Sequence, residues 1–74
     1  MQIKVRLIGA FRTGRFMEEV FDYPSETRVH EIVEQLQIPY RVLGTVLING
    51  LHSRIYDRLG EGDTLSLLPI LGGG

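Results

Sequence analysis

Residues 64–74 carry no charged side chain and close on Gly72-Gly73-Gly74. The reactive group such a segment offers is the α-carboxylate of Gly74. Glycine lacks a Cβ, so another protein's backbone can close tightly around it. A tail of this kind suits entry into a narrow channel, where the carboxylate meets another enzyme's chemistry. Four extended residues reach about 13–14 Å, enough to project from a body into a partner's site. A frayed chain end reads the same way, since glycine runs and termini are commonly disordered. Taken alone, the tail leaves both readings open.

The remaining chemistry-bearing residues are sparse. His30 falls on a helix flank and His52 on a short strand, neither with a second ligand at metal spacing, so no metal site is expected. His52, Ser53 and Asp57 lie too close along one extended segment to converge as a triad. Arg12 and Arg15 flank a loop, where they read as a solvated turn or as a contact for an acidic partner. There is no cysteine, which excludes a disulfide framework, a zinc finger and a thiol nucleophile. Eight Lys and Arg against nine Asp and Glu give a net charge of −1, without the basic footprint of a nucleic-acid binder. No apolar run approaches a membrane span and no signal segment opens the chain, so no membrane partner is expected and the cytoplasm is the default expectation.

At 74 residues the chain is one domain with little room for a deep catalytic cleft, and an enzyme is not expected. Its elements must therefore position an end or a surface. Gln2–Ile8 alternates, with Ile3, Val5 and Leu7 on one face, which predicts a strand. Gly9–Gly14 reads as a turn into a less regular strand over 15–23, and Pro24–Thr27 as a turn into a helix with Thr27 as its N-cap. Val29, Ile32, Val33 and Leu36 make one apolar stripe. Ile38-Pro39 closes the helix, because the residue before proline is pushed out of the α region. A third strand over 45–48, the Asn49-Gly50 hairpin turn and a return strand over 51–53 follow. Residues 54–63 read as coil, and 64–68 as a last strand with Leu65 and Leu67 inward. The expected class is α+β: a mixed sheet of four or five strands with one main helix on one face. Residues 1–69 form the body and 70–74 a flexible glycine-rich tail.

The run Leu59-Gly60-Glu61-Gly62-Asp63-Thr64-Leu65-Ser66-Leu67-Leu68-Pro69-Ile70-Leu71-Gly72-Gly73-Gly74 resembles the close of the ThiS/MoaD sulfur carriers: a Gly-Asp turn, an apolar strand, a short apolar linker and Gly-Gly. The resemblance extends to the opening strand, to the helix Val29-His30-Glu31-Ile32-Val33-Glu34-Gln35-Leu36 and to the Ile48-Asn49-Gly50 turn. Two positions depart from it. Molybdopterin-type members often carry Pro-Pro where this chain has Pro69-Ile70, and Gly72 stands where another small or polar residue is usual.

The resemblance implies a ubiquitin-like β-grasp fold with the first and last strands side by side. It implies a carrier whose Gly74 carboxylate is adenylated with ATP by an E1-like adenylyltransferase, then converted to a thiocarboxylate by a persulfide donor. Gly72 and Gly73 would thread the partner's channel. The chain itself would bind no cofactor, and a sulfur-accepting synthase subunit would be the second partner. Ile8 and Leu68 break the alternation of their strands and would be neighbours on the helix-free face, forming with Pro69 and Ile70 a partner surface. The longer first hairpin, with Phe11 and Arg12, is similar to the molybdopterin branch. The helix wording is similar to the thiamine branch. A ubiquitin-like modifier, whose activated Gly74 is attacked by a lysine, is a second reading, and a plain interaction module with an idle tail is a third.

Overall fold

The computed structural model describes residues 1–71. Strands β1 (Gln2–Leu7), β2 (Glu18–Asp22), β3 (Leu43–Ile48), β4 (Leu51–His52) and β5 (Thr64–Pro69), with the helix α1 (Val29–Gln35), form one layer of helix on one sheet. The strand order is β2-β1-β5-β3-β4. β1 runs parallel to β5, in register from Lys4 opposite Thr64 to Leu7 opposite Leu67, and the other pairs are antiparallel. This is the ubiquitin-like β-grasp arrangement, with β1 and β5 at the sheet centre.

Alternation delivers the core. Ile3, Val5, Leu7, Leu65 and Leu67 are fully buried against Val29, Ile32 and Val33 of α1. Each buried leucine of this kind contributes about 1.5–3 kcal/mol relative to an exposed one. Leu36 packs on the rim of the core, while Phe11, Ile38, Val46 and Leu59 complete it from loops and β3. Among the described residues no helix is long and apolar enough to cross a membrane.

Several boundaries differ from the sequence reading. β2 covers only Glu18–Asp22: residues 15–17, read as the start of a longer strand, are bend and coil. The stretch read as a turn does not form strand; within it Gly9–Arg12 coils into a 3-10 turn that tucks Phe11 into the core. β3 begins at Leu43, β4 ends at His52 and β5 runs on to Pro69.

The start of α1 differs too. Thr27 is not the cap: its hydroxyl donates to the Pro24 carbonyl at 2.7 Å and closes the preceding turn. Arg28 takes the N-cap position, and Glu31, three residues on, accepts the Arg28 backbone N–H at 2.8 Å. An arginine side chain has no acceptor to offer the helix. The first two helical N–H groups instead donate to the coil, Val29 to the Asp57 carbonyl at 3.1 Å and His30 to that of Ile55 at 2.7 Å. Residues 54–58 thus act as the cap that the sequence lacks locally.

At the other end Gln37 adopts φ +57°. Its N–H bonds the Glu34 carbonyl and that of Ile38 bonds Val33, both near 3 Å, the two-bond Schellman closure. Proline follows the stop rather than causing it. Arg15 clasps this terminus: Nε donates to the Leu36 carbonyl at 3.1 Å, Nη2 to Gln37 at 3.2 Å and Nη1 to Phe11 at 3.3 Å. A cation here complements the helix dipole. Arg12 Nε donates to the Leu7 carbonyl at 2.8 Å. Both arginines are exposed, as a solvated turn requires, and both also lace the loop to the backbone.

Candidate functional site

β5 carries the chain to its end, so its environment decides where the tail departs. Flanked by β1 and β3, it is held along both edges. The Ile8 N–H donates to the Leu67 carbonyl at 3.1 Å on one side, and the Ile70 N–H donates to Val42 at 2.9 Å on the other. The latter bond is the last rung before the tail. Ile70 is 50% exposed and Leu71 87%. Gly72, Gly73 and Gly74, the residues the sequence marks for the chemistry, lie outside the described residues.

Gly44 sets the last rung. The β3–β5 register shifts between Leu43 and Thr45, and Gly44 sits in that irregularity. A Cβ built on Gly44 would meet the Ile70 nitrogen and the Pro69 oxygen at 2.8 Å and the Ile70 Cα at 2.9 Å. All three are backbone atoms, so no side chain can swing away to make room. Gly44 lies just before the third strand read from the sequence over 45–48. The signal was present, because an isolated glycine in a strand pattern marks a bulge or a close backbone approach.

The strand start is fixed by a second device. In the β3–β4 turn Asn49 (φ +52°) and Gly50 (φ +80°) both take left-handed conformations, as a type I′ hairpin requires. The Asn49 side chain reaches across to β5: Oδ1 accepts the Thr64 N–H and Nδ2 donates to Asp63 Oδ1, both at 2.9 Å. The other Asp63 oxygen accepts the Gly60 N–H at 2.7 Å. The Gly-Asp turn and the Asn-Gly turn are thus one hydrogen-bonded unit that sets where β5 begins.

The four surface residues singled out in the sequence divide between two sides. Leu7 and Leu67 face each other in the parallel register, so Ile8 and Leu68 follow as neighbours on the helix-free face, each half-buried. Thr45 stands opposite Leu68 on that face. Pro69 shares parity with Leu65 and Leu67, and its ring lies against Gly9, 3.5 Å from where a Cβ would stand. With Ile70 it borders a groove beside Phe11.

The remaining polar residues serve local structure. Ser53 Oγ donates to the Leu51 carbonyl at 3.0 Å, and Asp57 accepts the Arg54 N–H at 2.9 Å. Neither bonds His52, which sits on exposed β4. The His30 ring packs on Tyr56 with centroids 5.0 Å apart. Tyr40 donates its hydroxyl to Glu34 at 2.5 Å, and that bond is the main cause of a phenol pKa pushed up to about 12. Among the described residues no three His, Asp or Glu side chains cluster as metal ligands would.

The model of the ThiS family matches residues 5–74. Curated proteins give no significant match. Among solved structures, SAMP1 from Haloferax volcanii is similar over 100% of both chains, with a TM-score of 0.77 at 21% identity. A putative molybdopterin converting factor subunit 1 from Pyrococcus furiosus is similar over 93% of this chain and 97% of its own, with a TM-score of 0.75 at 22% identity. A chain from the complex of subunits 1 and 2 of the Helicobacter pylori molybdopterin-converting factor is similar over 100% of both chains, with a TM-score of 0.68 at 22% identity. These likenesses are likenesses of fold.

Proposed function

The chain belongs to the ThiS family, and from that premise we propose that it is a sulfur carrier for molybdopterin-type cofactor biosynthesis, loaded at the carboxylate of Gly74. The observation that carries this reading is the family match, which runs through the glycine tail to residue 74. It is supported by a sheet whose central strand leads into that tail and whose last rung is fixed by the Gly44 contact.

A carboxylate is a poor acyl donor because its oxygen is a poor leaving group. In the proposed sequence the Gly74 carboxylate attacks the α-phosphorus of ATP on an E1-like adenylyltransferase, and pyrophosphate leaves. The resulting mixed anhydride is attacked at its carbonyl carbon by the outer sulfur of a persulfide, AMP departs with one former carboxylate oxygen, and an acyl disulfide forms. A thiol of the partner then attacks the donor-side sulfur of that S–S bond, which closes a disulfide on the partner and releases the acyl-bound sulfur. The product is a thiocarboxylate on Gly74. The chain supplies the acyl group and its placement, while the partner supplies the nucleotide site, acids and bases, as with other group carriers. Gly72 and Gly73 thread the partner's channel, and the Ile8–Leu68 face docks the body. The Helicobacter pylori fold neighbour is a complex of subunits 1 and 2, which supports a synthase subunit as the acceptor.

Intact-mass measurement after incubation with the adenylating enzyme, ATP and a persulfide donor tests this. Exchange of one oxygen for sulfur, mapped to Gly74, is expected. An amide-linked adduct would favour a protein modifier, and an unchanged mass would leave the carrier reading without support.

A further inference from the structure

The side of the tail root away from the Ile8–Leu68 face carries a feature that the carrier reading does not use. A groove of about 420 Å³ opens between the 9–15 loop and the Pro39–Val42 turn, with an apolar floor that includes Phe11, Pro39, Pro69 and Ile70. Arg15 and Arg41 line it, and among the described residues no carboxylate does. Lys4, Arg6 and Arg58 are paired with glutamates elsewhere, whereas among the described residues neither Arg15 nor Arg41 forms an ion pair.

The two cations differ in kind. Arg15 is immobilised by its three bonds to backbone carbonyls, which carry only partial charge and leave its net charge uncompensated. Arg41 is exposed and makes no side-chain hydrogen bond among the described residues. One fixed and one unengaged positive charge thus flank an apolar floor, on a chain whose net charge is −1.

We infer that this groove receives an acidic, apolar-anchored segment of the adenylating partner: a carboxylate against Arg41 and an apolar side chain on the floor between Phe11 and Pro69. The inference rests on the carrier reading for the identity of that partner. Charge complementarity selects an acidic segment, because an apolar floor alone would accept any hydrophobic chain. Continuity selects the partner that handles the tail. Pro69 and Ile70 are part of the floor, so whatever fills the groove grips the root that aims Gly74. Two arginines around an apolar floor are too small a footprint for nucleic acid. Filling the groove also covers Val42 and Ile70, which are 37% and 50% exposed.

Calorimetric titration of the chain with the adenylating enzyme of its own organism, at low and moderate salt, tests the inference. The Arg41→Glu variant is compared with Arg54→Glu, an equal charge change in the coil beside the opposite end of α1. Arg41→Glu should raise Kd by about tenfold or more at low salt, with a smaller penalty as salt screens the contact. Arg54→Glu should stay within about twofold, and Arg41→Lys should keep most of the affinity. Equal weakening by the two glutamate variants would overturn the groove, since net charge alone would then be acting. So would wild-type self-association in sedimentation that Arg41→Glu abolishes, because the occupant would be a second copy. Unchanged binding by Arg41→Glu, beside normal sulfur loading of the wild type, overturns the groove and leaves the carrier reading standing. A wild type that neither binds nor loads removes both.

Discussion

A single methyl group at residue 44 would crowd the backbone at the last rung of β5. In Gly44→Ala the new Cβ presses on the Pro69 and Ile70 backbone, so β3 and β5 must part where the Val42–Ile70 rung closes the sheet. Overpacking of this kind costs about 1–3 kcal/mol. The amide of Ile70 should therefore exchange much faster while those of Val5 and Leu65 stay protected. Uniform loss of protection would make Gly44 a general stability position instead. Tyr40 gives a second residue-scale outcome. Its phenol, held by Glu34, is raised from 10.0 to about 12. A group whose pKa is raised on folding contributes stability that is fully present below its unfolded pKa and lost as pH rises through the folded one. That contribution fades between about pH 10 and about 12. Phenolate absorbance should show a late ionisation near pH 12 that Tyr40→Phe removes; no change in that step would reassign it.

At the scale of elements, α1 is short and its ends are managed by other parts of the chain. Gln37 occupies a left-handed position where a side chain is disfavoured. Gln37→Gly should therefore stabilise by up to about 1 kcal/mol, less the entropy that glycine adds to the unfolded chain. A denaturation midpoint that falls would contradict the closure described here. β5 offers a sharper contrast. Leu67→Ala should cost about 2–5 kcal/mol because Leu67 is fully buried. Leu68→Glu, on the half-buried helix-free face, should unfold the chain far less than Leu65→Glu, and should weaken partner binding. Comparable unfolding by both glutamates would make Leu68 core. These inward and outward positions were legible in the sequence because alternation and the helical stripe report burial directly. The Asn49-Gly50 turn was legible for the same local reason, as it needs two left-handed residues in sequence. What was not legible is non-local. Phe11 is buried from a coiled loop with no periodicity, Arg15 meets α1 across 21 residues, and the α1 cap comes from the Asp57 and Ile55 carbonyls. No window of sequence contains both halves of such contacts.

At the scale of the molecule, the proposed function makes the fold a mount for one carboxylate. Strand order follows family resemblance more than pattern, since periodicity shows that β1 and β5 each bury a face but not that they pair. The proposed site rests on composition and the family match, an uncharged run closing on glycines that lie outside the described residues. Its aiming parts, Gly44 and the Asn49–Asp63 link, emerge only once β3 and β5 are side by side. The proposed loading is positional: the partner acts on a carboxylate four residues beyond the last rung at Ile70. One added residue moves that carbon by roughly 3.3–3.6 Å along an extended chain. A misplacement of about 1 Å already costs about a hundredfold in rate. The direct test compares the wild type with a variant carrying one extra glycine after Gly74, by intact mass under identical loading conditions without protease. Oxygen-to-sulfur exchange is expected in the wild type and none in the extended protein, with the β1–β5 amides equally protected in both. An extended protein that acquires sulfur as fast as the wild type would contradict it.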